Sequence, residues 1–190
     1  MKLEPKRVAL AAIDLQKGIL GRPMAPHPAA TVVANASRLA EAVTRGGGLA
    51  VRVHVGFSAD GADQLKQEVD QAMPGGPRPP DWMDFVAEVA AWPSALEIVK
   101  RQWGAFHGTE LDLQMRRRGL DTIVLAGVAT NFGVEQTARE AWQLGYAVIV
   151  AEDATSSSAG EAAHRFAVET ILPRLSRVRS TEAILAALAG

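Results

Sequence analysis

Short apolar runs alternate with amphipathic stretches along nearly the whole chain, and few architectures accept that rhythm. Val8–Ile13, Leu49–Val55, Glu97–Val99, Thr122–Ala126, Ala147–Ala151 and a weak Arg177–Arg179 read as strands. Most are continuously apolar rather than alternating, as expected of a parallel sheet buried on both faces. The expected fold is α/β: one three-layer α/β/α, Rossmann-like domain spanning residues 1–190, with a mostly parallel six-stranded sheet.

The stretches between the strands carry helical periodicity. Val32, Ala36, Leu39, Ala40 and Val43 share one stripe, which Gly46–Gly48 closes. A helix is expected from Thr109, an N-cap with Asp112 three residues on, to Gly119. Another runs from Asn131 to Gly145 with Val134, Ala138, Ala141 and Trp142 inward. A capping-box spacing at Ser158–Glu161 opens a helix burying Ala163, Phe166, Ala167 and Ile171. The last starts at Ser180 and buries Ile184, Leu185 and Leu188.

Residues 57–95 break the rhythm. Five of the ten prolines fall between Gly56 and Ser94, so an excursion over the carboxyl edge of the sheet is expected, with short helices at Asp63–Ala72 and Trp82–Trp92. Its aromatics, Trp82, Phe85 and Trp92, imply that it packs.

Composition removes several function classes. Twenty basic and twenty-one acidic side chains give a net charge of −1, which makes no electrostatic case for nucleic acid or an anionic membrane as partner. With no cysteine there is no disulfide, no thiolate-bound zinc and no thiol nucleophile. The apolar run closed by Asp14 is too short for a secretory signal core, so a cytoplasmic location is the expectation.

In open α/β sheets ligands sit outside the carboxyl ends of the strands. Three features fall there: Asp14 with Gln16 after the first strand, Lys100 through Phe106 after the third, and Gly127–Val134 after the fourth. Singly, each has an ordinary reading as a turn residue, a solvated lysine or a packing glycine. Gly127 and Gly133 do not have the spacing of a dinucleotide fingerprint.

These segments resemble the isochorismatase-like hydrolase family: Ala12–Ile13–Asp14–Leu15–Gln16, Lys100 through Gly108–Thr109, Gly127–Val128–Ala129–Thr130–Asn131 and Ala151–Glu152–Asp153–Ala154. The resemblance implies a catalytic Asp at Asp14 and a Lys at Lys100. It places the family's nucleophilic cysteine on Gly133, so the chain resembles the branch with glycine at that position. Isochorismatases are similar in this respect and hydrolyse a vinyl ether by proton delivery to carbon, not by covalent catalysis. The expectation is a cysteine-independent, Asp-dependent hydrolase of a small carboxylated metabolite. The alternative is a catalytically inactive ligand-binding or interaction protein on the same scaffold.

The resemblance also implies a cis peptide at Val128–Ala129 and substrate contacts from Gln16, Val128, Ala129, Asn131 and Phe132. Trp103 and Phe106 read equally as pocket walls or core aromatics. No cofactor or metal is expected, because His27, His54, His107 and His164 are scattered along the chain and His54 reads as a satisfied strand-end histidine. Arg116–Arg118 reads as a solvated helix end, or as a contact between subunits. The aromatic content of residues 57–95, together with the resemblance, implies a homodimer or higher homo-oligomer with this excursion or the helix from Thr109 at the interface. Light scattering should return a multiple of the single-chain mass; a monomer mass would overturn that expectation.

Overall fold

The computed structural model describes residues 1–72, 78–93 and 95–190. Its sheet has six strands in the order β3-β2-β1-β4-β5-β6, with every pair parallel. The strands are β1 (Val8–Ile13), β2 (Leu49–Val55), β3 (Leu96–Lys100), β4 (Thr122–Val128), β5 (Ala147–Ser156) and β6 (Arg177–Arg179). The expected doubly wound α/β fold is therefore present, with β5 running further than its apolar run implied. A chain laid down in this order reverses direction between β1 and β4, and that switch point is where such sheets bind ligands.

β1 shows how the layers form. Val8, Leu10 and Ala12 join one apolar cluster, with Val32, Leu39 and Val43 of α2 (Ala29–Arg45) and Ile184 and Leu188 of α7 (Thr181–Ala189). Ala9, Ala11 and Ile13 join the opposite cluster, with Leu111 and Met115 of α4 (Leu111–Arg117) and Ala138 and Ala141 of α5 (Glu135–Gln143). Every side chain of the strand is buried, which is why it lacks polar alternation.

Several local expectations need correction. Trp142 is 56% exposed and Phe166 60% exposed. Trp142 falls past the edge of the stripe set by Val134, Ala138 and Ala141. In α6 (Glu161–Phe166) and the π-turn Ala167–Ile171 after it, the inward positions are His164 and Ala167. That helix starts on Gly160 without a side-chain cap, so Ser158 does not close a capping box. The N-cap of α4 is Glu110, not Thr109, and it makes no side-chain cap bond; the Thr109 hydroxyl instead accepts from the Leu111 amide at 3.2 Å and donates to the Ala105 carbonyl at 2.6 Å. The helix that should follow Asn131 starts at Glu135, after a π-turn at Thr130–Val134.

The excursion is mostly irregular among the described residues; the expected proline-and-glycine stretch at 74–77 lies outside them. No helix forms over Asp63–Ala72. Its apolar residues, Leu65 and Val69, are 67% and 62% exposed, so no packed face exists to stabilise one. Within Trp82–Trp92 only the single turn α3 (Ala87–Ala90) is helical. The segment packs on the residues following β1, which include the turn α1 (Lys17–Leu20): Val86 donates to the Leu15 carbonyl, and Lys17 pairs with Asp81 and Asp84.

Gly127 shows the tightest demand on sequence. It sits opposite Ile13 at the end of β4 with φ +108°, and a Cβ there would collide with the Ile13 backbone. Gly145 also has a positive φ (+84°) but faces open space. Gly127→Ala should cost about 3 kcal/mol or more and Gly145→Ala about 1–2 kcal/mol. Urea unfolding of the two variants checks this; equal costs would refute the steric account.

Candidate active site

Asp14 follows β1 directly and is the only non-glycine residue with positive φ (+54°) among the described residues. Aspartate tolerates that conformation better than most residues. Its amide donates to the Val53 carbonyl at 2.8 Å, which anchors the turn to β2. Lys100 ends β3, two strands away, and reaches across the end of β2. Its Nζ donates to Asp14 Oδ2 at 2.8 Å and to the Gln102 carbonyl at 3.1 Å. The ammonium is 1% exposed and Asp14 8%, so the ion pair is enclosed in protein.

Burial is the main influence on the Asp14 carboxyl and pushes its pKa above the usual carboxylate range. The charge and hydrogen bond of Lys100, and more weakly His54, oppose that rise. Asp14 Oδ1 is buried without a hydrogen-bond partner. Gly133 closes the group from the π-turn after β4. A Cβ on it would meet Ile13 Cγ2 at 3.0 Å, Asp14 Oδ2 at 3.2 Å and the Trp103 carbonyl at 3.5 Å. Asp14, Lys100 and Gly133 thus come together at the carboxyl edge of the sheet, beside its switch point. The Val128–Ala129 peptide is cis.

The other sequence candidates separate into two groups. Trp103 is 52% exposed and its ring lies 4.8 Å from that of Phe132, so these two aromatics flank Gly133. Ala129 is half-buried and its carbonyl accepts from the Phe132 and Val134 amides, which shapes the turn. Phe106, by contrast, is buried in the core and stacks on Tyr146 at 5.5 Å. Val128 is buried in the cluster on the α2 face. Asn131 is engaged by Ser157, whose hydroxyl donates to its Oδ1 at 2.6 Å.

Gln16 is a clamp within the fold. Its amide nitrogen donates to the carbonyls of Val55 (3.1 Å) and Trp82 (3.2 Å), and its oxygen accepts from the Val55 amide at 2.9 Å. It is fully buried and joins the end of β2 to the excursion.

Sequence reasoning missed the residues that hold the loop after β3. Glu140 accepts from the Phe106 amide at 2.9 Å, and Thr137 accepts from Ala105 at 3.2 Å while donating to the Gly133 carbonyl at 2.6 Å. Gly104 permits this closeness, since a Cβ there would strike the Glu140 carboxylate. Their i, i+3 spacing on α5 was a signal, but nothing in sequence gave its partner.

The histidines are not all scattered in space. His27, Glu152 and His164 converge, with the Nε2 atoms of the two histidines 2.8 and 3.2 Å from Glu152 Oε1. Burial acts to raise the Glu152 pKa, but the hydrogen bonds and charges of both histidines hold it below the usual range. Burial keeps His164 biased to its neutral form. His54, by comparison, is satisfied only in part: the Met83 carbonyl lies 2.9 Å from Nδ1, while Nε2 is buried without a hydrogen-bond partner.

The chain matches the isochorismatase domain over residues 8–183. It is 50% identical over 188 residues to the uncharacterized isochorismatase family protein YecD of Escherichia coli O157:H7, covering 99% of this chain and 100% of that protein. The structure of an isochorismatase family protein from Burkholderia thailandensis superposes with a TM-score of 0.92 at 43% identity, covering 100% of this chain and 98% of that one. A shorter stretch of 88 residues is 33% identical to the ureidoacrylate amidohydrolase RutB of Variovorax paradoxus (46% of this chain, 35% of that protein). The chain belongs to the isochorismatase family, which includes hydrolases.

Replacing Gln16 by Leu leaves the Val55 amide and two carbonyls without their partner. At about 1–3 kcal/mol per buried orphan, partly relieved by water at the exposed excursion, the loss should be about 2–4 kcal/mol. Chemical denaturation measures it. A cost below about 1 kcal/mol would return Gln16 to the list of substrate contacts.

Proposed function

We propose that this chain hydrolyses a small carboxylated metabolite without a nucleophilic side chain, with Asp14 as the proton donor. The observation that carries this reading is the buried Asp14–Lys100 pair packed against Gly133. With a Cβ at 133 only 3.2 Å from Asp14 Oδ2, any larger side chain would crowd the carboxyl, whereas glycine leaves that side clear. The full absence of cysteine excludes a thioester intermediate.

The reaction that suits such a site is hydrolysis of an enol ether. Asp14 in its acid form delivers a proton to the terminal vinylic carbon, and the adjacent carbon becomes oxocarbenium-like. Water adds there, the resulting hemiketal collapses to a carbonyl compound and an alcohol, and a proton returns to Asp14. Lys100 orients the carboxyl through its 2.8 Å hydrogen bond and supplies positive charge for a substrate carboxylate. Trp103 and Phe132 would flank the bound molecule, and the turn at Ala129–Gly133 would contact it.

Burial raises the Asp14 pKa, so its acid form persists to higher pH than for a free carboxyl. Activity should therefore fall as pH rises through that raised pKa. Lys100 holds the pKa down, so Lys100→Met should move the falling limb to higher pH as well as lower the rate. A metabolite screen identifies the substrate. On it, Asp14→Asn should lose about 10²–10⁴-fold in kcat while still binding ligand. Full activity in Asp14→Asn, or a limb that moves to lower pH in Lys100→Met, would overturn the mechanism. Ligand binding with no turnover in the wild type would favour a binding protein on this scaffold.

A further inference from the structure

Outside the Asp14–Lys100 site, three segments far apart in sequence bring metal-ligating atoms to one point. His27 comes from the loop before α2, Glu152 from β5 and His164 from α6. His27 Nε2 lies 2.8 Å and His164 Nε2 3.2 Å from the same oxygen, Glu152 Oε1, and all three atoms lie within 4.8 Å of one another. The imidazoles meet edge to face, with centroids 5.5 Å apart and planes at 82°.

We propose that His27, Glu152 and His164 form a binding site for one divalent transition-metal ion of the zinc type, ligated through the two Nε2 atoms and Glu152 Oε1. The site is distinct from Asp14 and Lys100 and does not rest on the reaction proposed for them.

Four features support a cation rather than a simple hydrogen-bonded tie. The donor set, two imidazoles and one carboxylate, is one that zinc and its neighbours accept, whereas magnesium and calcium prefer oxygen alone. Tetrahedral donors each about 2.1 Å from a shared ion stand about 3.4 Å apart, so the 2.8 and 3.2 Å contacts need to open slightly while the two histidine nitrogens, within 4.8 Å of each other, settle to a similar separation. His164, 1% exposed, is held from behind by Thr130, whose hydroxyl lies 2.9 Å from Nδ1. That is the outer contact a ligating histidine needs to fix its ring and tautomer. Finally, the His27 and Glu152 side chains are 25% and 36% exposed, which leaves a solvent-facing side where water completes the coordination.

The surroundings are also braced before any ion binds. Ala25 and Ser157 exchange two backbone hydrogen bonds of 3.0 Å, which fixes the approach of His27. Asn35 donates to the Asp153 carbonyl at 2.8 Å, and Asp153 Oδ1 accepts from the amide and hydroxyl of Thr181 at 2.7 Å each. Binding would require both Nε2 atoms to be free of protons, since the ion takes their lone pairs. The remaining proton of His164 would then sit on Nδ1 and be donated to Thr130 Oγ1.

The test uses the full chain without a polyhistidine tag, stripped with a chelator and then titrated with Co²⁺ and Zn²⁺. The wild type should bind one equivalent of Co²⁺ with a visible ligand-field spectrum that Zn²⁺ abolishes. Zn²⁺ at a hundred times Kd should raise Tm by about 5–10 °C. Mg²⁺ should do neither. His27→Ala and Glu152→Gln should each weaken Co²⁺ binding at least about tenfold, and Glu152→Gln, which keeps the shape of the side chain, should leave the metal-free Tm close to that of the wild type. No saturable Co²⁺ signal in the wild type, or an unchanged signal in both variants, would overturn the proposal. Either result leaves the reading of Asp14 as a proton donor intact, since none of these measurements depends on turnover.

Discussion

The enclosed ion pair between Asp14 and Lys100 sets terms that the rest of the carboxyl edge must meet. Removing two charges from water costs several kcal/mol per ion, and only close geometry and further hydrogen bonds offset it. Here the offset comes from a 2.8 Å contact and the Gln102 carbonyl at 3.1 Å on the same ammonium. It is incomplete, because Asp14 Oδ1 is buried without a partner. Burial raises the carboxyl's pKa against the opposing charge and hydrogen bond of Lys100, and the proposed reaction draws on that raised pKa. Hydrogen bonds to both oxygens would favour the ionised carboxylate and lower its pKa.

The pair also explains which parts of the sequence were legible. β1, β2 and β4 could be read because both of their faces are buried and their apolar runs are continuous. β3 could be read only in part, since it is an edge strand in which Val99 is 40% exposed while Lys100 is almost fully buried. Hydropathy places those two residues the wrong way round, and only the partner two strands away reverses them. Asp14, Lys100 and Gly133 were found because each falls at a strand end or strand-to-helix turn, where fold and resemblance agree. Gln16 was read as a substrate contact, and Phe106 as equally a pocket wall or a core aromatic, because sequence shows that a residue is near the edge but not which way its side chain turns. Trp142 and Phe166 lie beside buried stripes, and the π-turns at Thr130–Val134 and Ala167–Ile171 shift helical phase in a way periodicity does not reveal.

The His27–Glu152–His164 cluster was beyond reach for a different reason. Its members are 125 and 12 residues apart in sequence, with no ligand spacing such as two histidines on one helical face. His27 reads as a loop residue beside prolines, and Glu152 belongs to a segment whose strand extends five residues past its apolar run. Only the antiparallel bridge of Ala25 to Ser157, which no local pattern encodes, lays that loop across the end of β5.

Both clusters converge on one short turn. Within Thr130–Val134, Thr130 meets His164, Asn131 meets Ser157, and Gly133 meets Asp14 on one side while its carbonyl accepts from Thr137 on the other. Three separate segments, together with Thr137 one turn further along the same helix, thus determine the course of five residues. A turn held in this way does not depend on its own helical propensity, which explains how it keeps a π geometry that an isolated peptide would abandon. It also means that its position relative to the Asp14 carboxyl is set by tertiary contacts, which is the condition the proposed proton transfer requires for donor and substrate to stay aligned without reorganising.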